Sequence, residues 1–111
     1  MAEGPAKSTW RPISKDDLLS LIAAGESAME PPLRAFWDQI HIEPVKWSLP
    51  PWGDQGDGFW VVAIMGQLVV WYNDIEEGFN RGKFESFGRI GQYQCSQMEL
   101  TRCINSLFPE I

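Results

Sequence analysis

The sequence predicts an α+β domain: an antiparallel β-meander with two N-terminal helices and one C-terminal helix packed on one face. Three observations predict it. Two segments near the N-terminus and one near the C-terminus repeat apolar residues at the helical period. Between them, Phe59 to Met65 and Leu68 to Asn73 are rich in Val, Ile and aromatics and are joined by Gly66-Gln67. The order helix, helix, strands, helix has no βαβ alternation, so the strands are expected to be antiparallel. With 111 residues, 44% of them apolar and 22% charged, the chain has the size and balance of one folded domain. That domain is expected to span residues 13–111, behind a flexible tail at residues 1–12 in which Trp10 alone calls for a packing partner.

The first helix opens at Ser14. Its hydroxyl can cap, Asp17 completes a capping-box-like pair, and Ile13 can staple onto Leu18. Leu18, Leu21 and Ile22 form the apolar stripe, and Gly25 reads as the stop. The second helix begins at Pro31 or Pro32, where a missing N–H costs no bond. Leu33, Phe36, Trp37 and Ile40 are its buried face, and Pro44 ends any continuation. Trp47 to Leu49 reads as a short strand. Residues 50–58, with two Pro and three Gly, read as a loop. In the hairpin, a two-residue type II′ turn at Gly66-Gln67 pairs Val62 with Trp71 and Val61 with Tyr72. Both hairpin faces are then apolar, so each needs cover. Helices supply one cover; the other falls to a loop, a partner or a second subunit, and a homodimer built on that face is one arrangement the pattern allows. Asn73 to Gly82 reads as a polar connection, and Phe84 to Tyr93 as one or two short strands. The last helix is expected from Ser96, with Glu99 completing a capping box and Cys95 stapling onto Leu100. Leu100, Cys103, Ile104 and Leu107 are its apolar face, closed by Pro109.

Charge narrows the function classes. Nine Lys and Arg stand against fifteen Asp and Glu, a formal charge of −6. That balance argues against nucleic acid as a partner and against docking on anionic lipid. No apolar run has the length of a signal peptide or a membrane span, and two cysteines without a signal read as reduced thiols. The expected compartment is the cytoplasm.

The charge is also uneven. From Trp47 to Asn80 there is no Lys or Arg, while Asp54, Asp57, Asp74, Glu76 and Glu77 fall there. Half of the aromatic residues share that stretch. The hairpin register brings the two acidic connections to the same end of the strands, and a one-residue slip would swap faces but keep that shared end. Carboxylates beside Trp52 make an acidic, aromatic surface suited to a basic protein partner. Equally, the aromatics can be core and the carboxylates can be solvated loop residues.

Other chemistry has too few parts. The acids do not have EF-hand spacing. Paired carboxylates could serve glycoside hydrolysis, but so short a chain leaves little wall for a sugar cleft. His41 sits at a helix C-terminus with no nucleophile near it in sequence. Cys103 lies on an apolar stripe, and Gly53, Gly56 and Gly58 precede a strand, where a phosphate loop would precede a helix. No motif calls for a cofactor, a metal or a catalytic residue.

The run Gly58-Phe59-Trp60-Val61-Val62-Ala63-Ile64-Met65-Gly66, followed by Leu68-Val69-Val70-Trp71-Tyr72 and the acidic Asn73-Asp74-Ile75-Glu76-Glu77-Gly78-Phe79-Asn80, resembles a family of small uncharacterised bacterial proteins. Some of these look like immunity proteins of toxin systems. The resemblance covers about Trp47 to Leu107 and brings no catalytic residues with it. It implies a toxin domain as partner, whose basic active-site residues the acids would complement. The expectation is therefore a non-enzymatic protein-binding domain with Trp52, Asp54, Asp57, Asp74, Glu76 and Glu77 as contacts. The alternative is a small-molecule or divalent-metal-binding domain with a pocket between hairpin and helices.

Overall fold

The computed structural model describes residues 11–52 and 57–108. The expectation for the tail falls mostly on residues outside that range, and so does the one for Asp54. The chain order is α1 (Lys15–Ala28), α2 (Pro31–Ile40), β1 (His41–Trp47), β2 (Phe59–Met65), β3 (Leu68–Asn73), β4 (Gly78–Lys83) and α3 (Leu100–Leu107). The four strands form one antiparallel meander in the order β1-β2-β3-β4. The α+β architecture is therefore the one the sequence predicts. Among the described residues, no helix is long and apolar enough to cross a membrane.

Helix starts follow local chemistry. Ser14 Oγ accepts the Asp17 N–H at 3.1 Å and caps α1. Pro31 and Pro32 open α2. Gly25 does not stop α1, which runs on to Ala28. A Cβ at Gly25 would lie 2.9 Å from Leu100 Cβ, so the glycine lets α1 and α3 approach closely. Thr101 Oγ1 donates to the Gly25 carbonyl at 3.0 Å across the same contact.

Pro44 ends the helical pattern, as expected, but it sits inside a strand. β1 starts at His41, directly after α2, and is longer than the Trp47–Leu49 strand the sequence suggests. It is an edge strand, and its register shifts between His41 and Val45, where a residue without an N–H does least harm.

The β2–β3 hairpin turns at Gly66-Gln67, with Met65 opposite Leu68. Beyond Ala63 the expected register fails by one residue. An irregularity between Val61 and Ala63 sets Val61 opposite Trp71 and Trp60 opposite Tyr72. The bulge lets the consecutive Val62 and Ala63 both join the helix-side core, while Val61 and Ile64 pack on the other face.

The polar stretch after Asn73 is only partly a connection: its second half is β4. Asn73 Oδ1 accepts the N–H groups of Ile75 and Glu76 at 3.0 and 3.2 Å, forming the turn. Asn73 then pairs with Gly78. A Cβ at Gly78 would stand 2.2 Å from Gln97 Cα, so the segment before α3 presses directly on β4. Phe79 N–H donates to the Met98 carbonyl at 2.8 Å. Asn80, 1% exposed, accepts the Ser96 N–H at 2.8 Å and donates to the Ser96 carbonyl at 3.0 Å. Ser96 is thus held by β4 and does not cap a helix; α3 begins at Leu100 with Glu99 as its N-cap. Residues 84–93 form isolated bridges and no strand.

Two cores result. Leu18, Ile22, Leu33, Phe36, Trp37, Ile40 and the α3 stripe pack on Val62, Ala63, Val70, Tyr72 and Phe79. On the opposite sheet face, Phe59, Val61, Val69 and Trp71 are covered by Trp47, Leu49 and Ile90, flanked by Trp52, Phe84 and Tyr93. The second face of the hairpin is therefore covered by loops.

Candidate functional site

The end of the sheet where β2 begins and β3 turns into β4 carries the acids singled out from the sequence. Asp57 is exposed and adopts a left-handed conformation, with φ of 62°. Glu77 is exposed with φ of 61°. Glu76 is half-buried, and its carbonyl accepts from Gln97 Nε2 at 3.0 Å. The pairing of Trp60 with Tyr72 and of Asn73 with Gly78 puts all three at one end of the strands. Left-handed backbone disfavours L-residues, so two acidic residues occupy positions that glycine would fill without strain.

Asp74 has a different environment. It is 7% exposed, and its Oδ2 accepts the Ile13 N–H at 2.9 Å. Trp60 Nε1 donates to the Ile13 carbonyl at 3.3 Å. The two bonds fix the residue before α1 to the hairpin. Lys46, on the neighbouring strand, lies 4.9 Å above the Trp60 ring. Burial raises the Asp74 carboxyl above its ordinary value, against the lowering effects of the Ile13 N–H and the Lys46 charge. Among the described residues, Asp74 Oδ1 is buried without a hydrogen-bond partner.

Trp52 stacks on Tyr93 with ring centroids 4.1 Å apart and is half-buried. It belongs to the loop-covered face, whereas Asp74 ties down the start of a helix that packs on the other face. The sequence-selected residues are thus divided: Asp57, Glu76 and Glu77 share an end, Asp74 is buried and bonded to Ile13, and Trp52 packs on the loop side. Of the other described indoles, Trp37, Trp47 and Trp71 are sealed, and Trp60 keeps part of its surface.

Adjoining Glu77 is a hollow between sheet and helices, lined otherwise by residues the sequence reading did not single out as contacts. The hollow, of about 310 Å³, opens between α1, the β3–β4 turn and the start of α3. Tyr72, Phe79 and Leu100 line it, with Leu21 and Ala24 from α1. Burial, then the charges of Glu77 and Asp74, raise the Tyr72 phenol above its ordinary value, and Glu77 and Glu99 border the hollow. Its signal in the sequence is the spacing Leu21, Ala24, Ala28, a second helical stripe beside Leu18 and Ile22.

Among the described residues, no three His, Cys, Asp or Glu side chains converge to hold a metal ion. His41 stacks on Trp37 at 5.2 Å. Both cysteines are free: Cys95 is exposed, and burial pushes the Cys103 thiol up to about 12. Compared with family models, with curated proteins and with solved structures, the chain matches none.

Proposed function

We propose that this chain is a non-enzymatic protein-binding domain whose contact surface is the acidic turn end of the sheet. Asp57, Glu76 and Glu77 are its outer contacts. Trp52, packed on Tyr93 on the loop-covered side, and Asp74, bonded to the Ile13 N–H, complete the set. The single observation that carries the reading is the pair of left-handed acidic residues, Asp57 and Glu77, at the same end of adjoining strands. A backbone that prefers glycine there retains carboxylates instead, and exposed carboxylates steer a cationic partner. Toxin-domain chemistry, which the resemblance of the hairpin implies, would supply such a partner through basic active-site residues.

The test is capture on the immobilised chain at low and at high salt, with each captured protein identified and bound again in pure form. The expected result is a basic protein retained at low salt, loosened by salt, and lost from the variant carrying Asp57→Lys, Glu76→Lys and Glu77→Lys together. Binding that ignores both salt and charge reversal would overturn the proposal.

A further inference from the structure

We infer that the furrow between α1 and the segment leading into α3 seats a cationic, amphipathic helical segment of the partner protein. The inference rests on the protein-binding reading above and locates where an apolar anchor of that partner would enter.

The furrow is built by one helix with two apolar stripes. Leu18 and Ile22 of α1 are buried in the core, and Gly25 meets Leu100. Leu21, Ala24 and Ala28, at i, i+3 and i+7, line the furrow instead. Leu21 stays 39% exposed, and Leu19 beside it 42%. The floor is Tyr72, Phe79 and Leu100, all buried. Past Ala28, Glu99 and Thr101, which line both, a second hollow of about 560 Å³ carries the furrow on to Asn105 and Phe108. Small side chains on the α1 wall let another helix come close, at the roughly 8–10 Å axis separation of packed helices.

Charge selects the occupant. Glu77 and Glu99 border the first hollow, and no Lys, Arg or His is among its described lining residues. Glu30 borders the second, where Arg102 is the one cation among its described lining residues. Local structure does not account for the two leading acids. Glu77 holds a left-handed turn position. Glu99 is the N-cap of α3 yet makes no side-chain capping bond, which Ser, Asp or Asn would supply. Glu77 and Glu99 both border this trough, whose floor is apolar. A segment with apolar residues at i, i+3 and i+7 and Lys or Arg beside them matches trough and rim together.

The probe is a fluorescein-labelled peptide of Leu and Lys, about four helical turns long, with Leu on one face. Its controls are a scrambled peptide of the same composition and a Leu/Glu peptide of the same pattern. Anisotropy should show saturable binding of the helical Leu/Lys peptide, about tenfold weaker binding of the scramble, and none of the Leu/Glu peptide. Ala24→Trp fills the trough from an exposed helix position and should abolish that preference while the far-UV spectrum stays unchanged. Glu77→Lys with Glu99→Lys should reverse the preference toward the Leu/Glu peptide. Equal binding of the scramble, or indifference to Ala24→Trp, overturns the inference. If Ala24→Trp is silent but reversal at Asp57 and Glu76 abolishes capture of the basic partner, the furrow fails and the protein-binding reading stands. If neither change matters, both fail. A dimer of the unmodified chain that Ala24→Trp disperses, read by light scattering, would give the furrow to a second copy and also overturn the inference.

Discussion

Both faces of the sheet are apolar, and they are covered in different ways. On one face, α1, α2 and α3 bring side chains onto Val62, Val70 and Tyr72. A helix satisfies its own backbone, so that cover needs only the right stripe. On the other face, residues 84–93 and 48–52, joined by isolated bridges and by neither a helix nor a continuous strand, lie with Trp47 of β1 over Phe59, Val61 and Trp71. Their backbone groups depend on a few tertiary bonds: Ser48 N–H to Gly88, Ile90 N–H to Ser48 and Gly91 N–H to Lys83, at 2.9–3.0 Å. Edge-on aromatic pairs of Trp47 with Phe84 and Phe87 complete the seal. A coil cover is held by its clamps, so the loop face is expected to open before the helix face does.

The largest test of that difference is Trp71→Ala. Trp71 is fully buried at the centre of the loop-covered core. Its removal should cost about 3–5 kcal/mol in denaturant unfolding. Trp71→Phe keeps the ring contact with Phe59, and the indole N–H it deletes has no partner among the described residues, so it should cost well under half as much. A Phe variant as damaging as the Ala variant would mean that the indole N–H does have a partner.

Next in size is Asn80→Ala. It removes both bonds to Ser96 and leaves a polar backbone pair against β4 without partners. The expected loss is about 2 kcal/mol. Amides of residues 94–98 should lose exchange protection while those of α2 keep theirs. Equal loss in α2 would show that the segment before α3 and α2 open as one unit.

How far each face is legible in the sequence follows the same division. Leu33, Phe36, Trp37 and Ile40 are all buried, as their spacing requires, and so are Leu100, Cys103, Ile104 and Leu107. Periodicity finds helices because their pattern is local. The start of α3 was misplaced because Ser96 and Glu99 imitate a capping box, yet Ser96 is engaged by Asn80, sixteen residues away. β4 escaped notice because Phe79 is its only large apolar residue, and side-chain clamps hold what burial alone would not. The site divides in the same way. Nothing local separates Asp74 from Glu77, but one meets the Ile13 N–H across the fold and the other stays in an exposed turn.

Asp74 gives the pH-dependent form of the comparison. Burial raises its carboxyl above the unfolded value, so the folded state holds its proton more tightly. Its charged form therefore weakens folding at pH values above the folded pKa. That penalty shrinks as pH falls through the folded pKa toward the unfolded one. Asp74→Asn should remove this pH dependence from the unfolding free energy across the carboxylate range, with stability at neutral pH equal or higher. A variant with an unchanged pH profile would show that Asp74 is not the group that titrates there.

The smallest effect separates stability from binding at the turn itself. Glu77→Gly relieves a left-handed residue but adds freedom to the unfolded chain, for a net gain of about 0.5–1 kcal/mol. If Glu77 is retained as a contact, the stabilised variant should hold the cationic partner less tightly, and the difference should shrink at high salt. Asp57→Gly is the matched control at the other left-handed position. Asp tolerates that backbone better than Glu, so its gain should be smaller for a similar loss of binding. Variants that gain stability and keep full affinity would mean that the turn tolerates these acids without using them. Variants that gain stability and lose affinity would identify strain kept for the sake of charge.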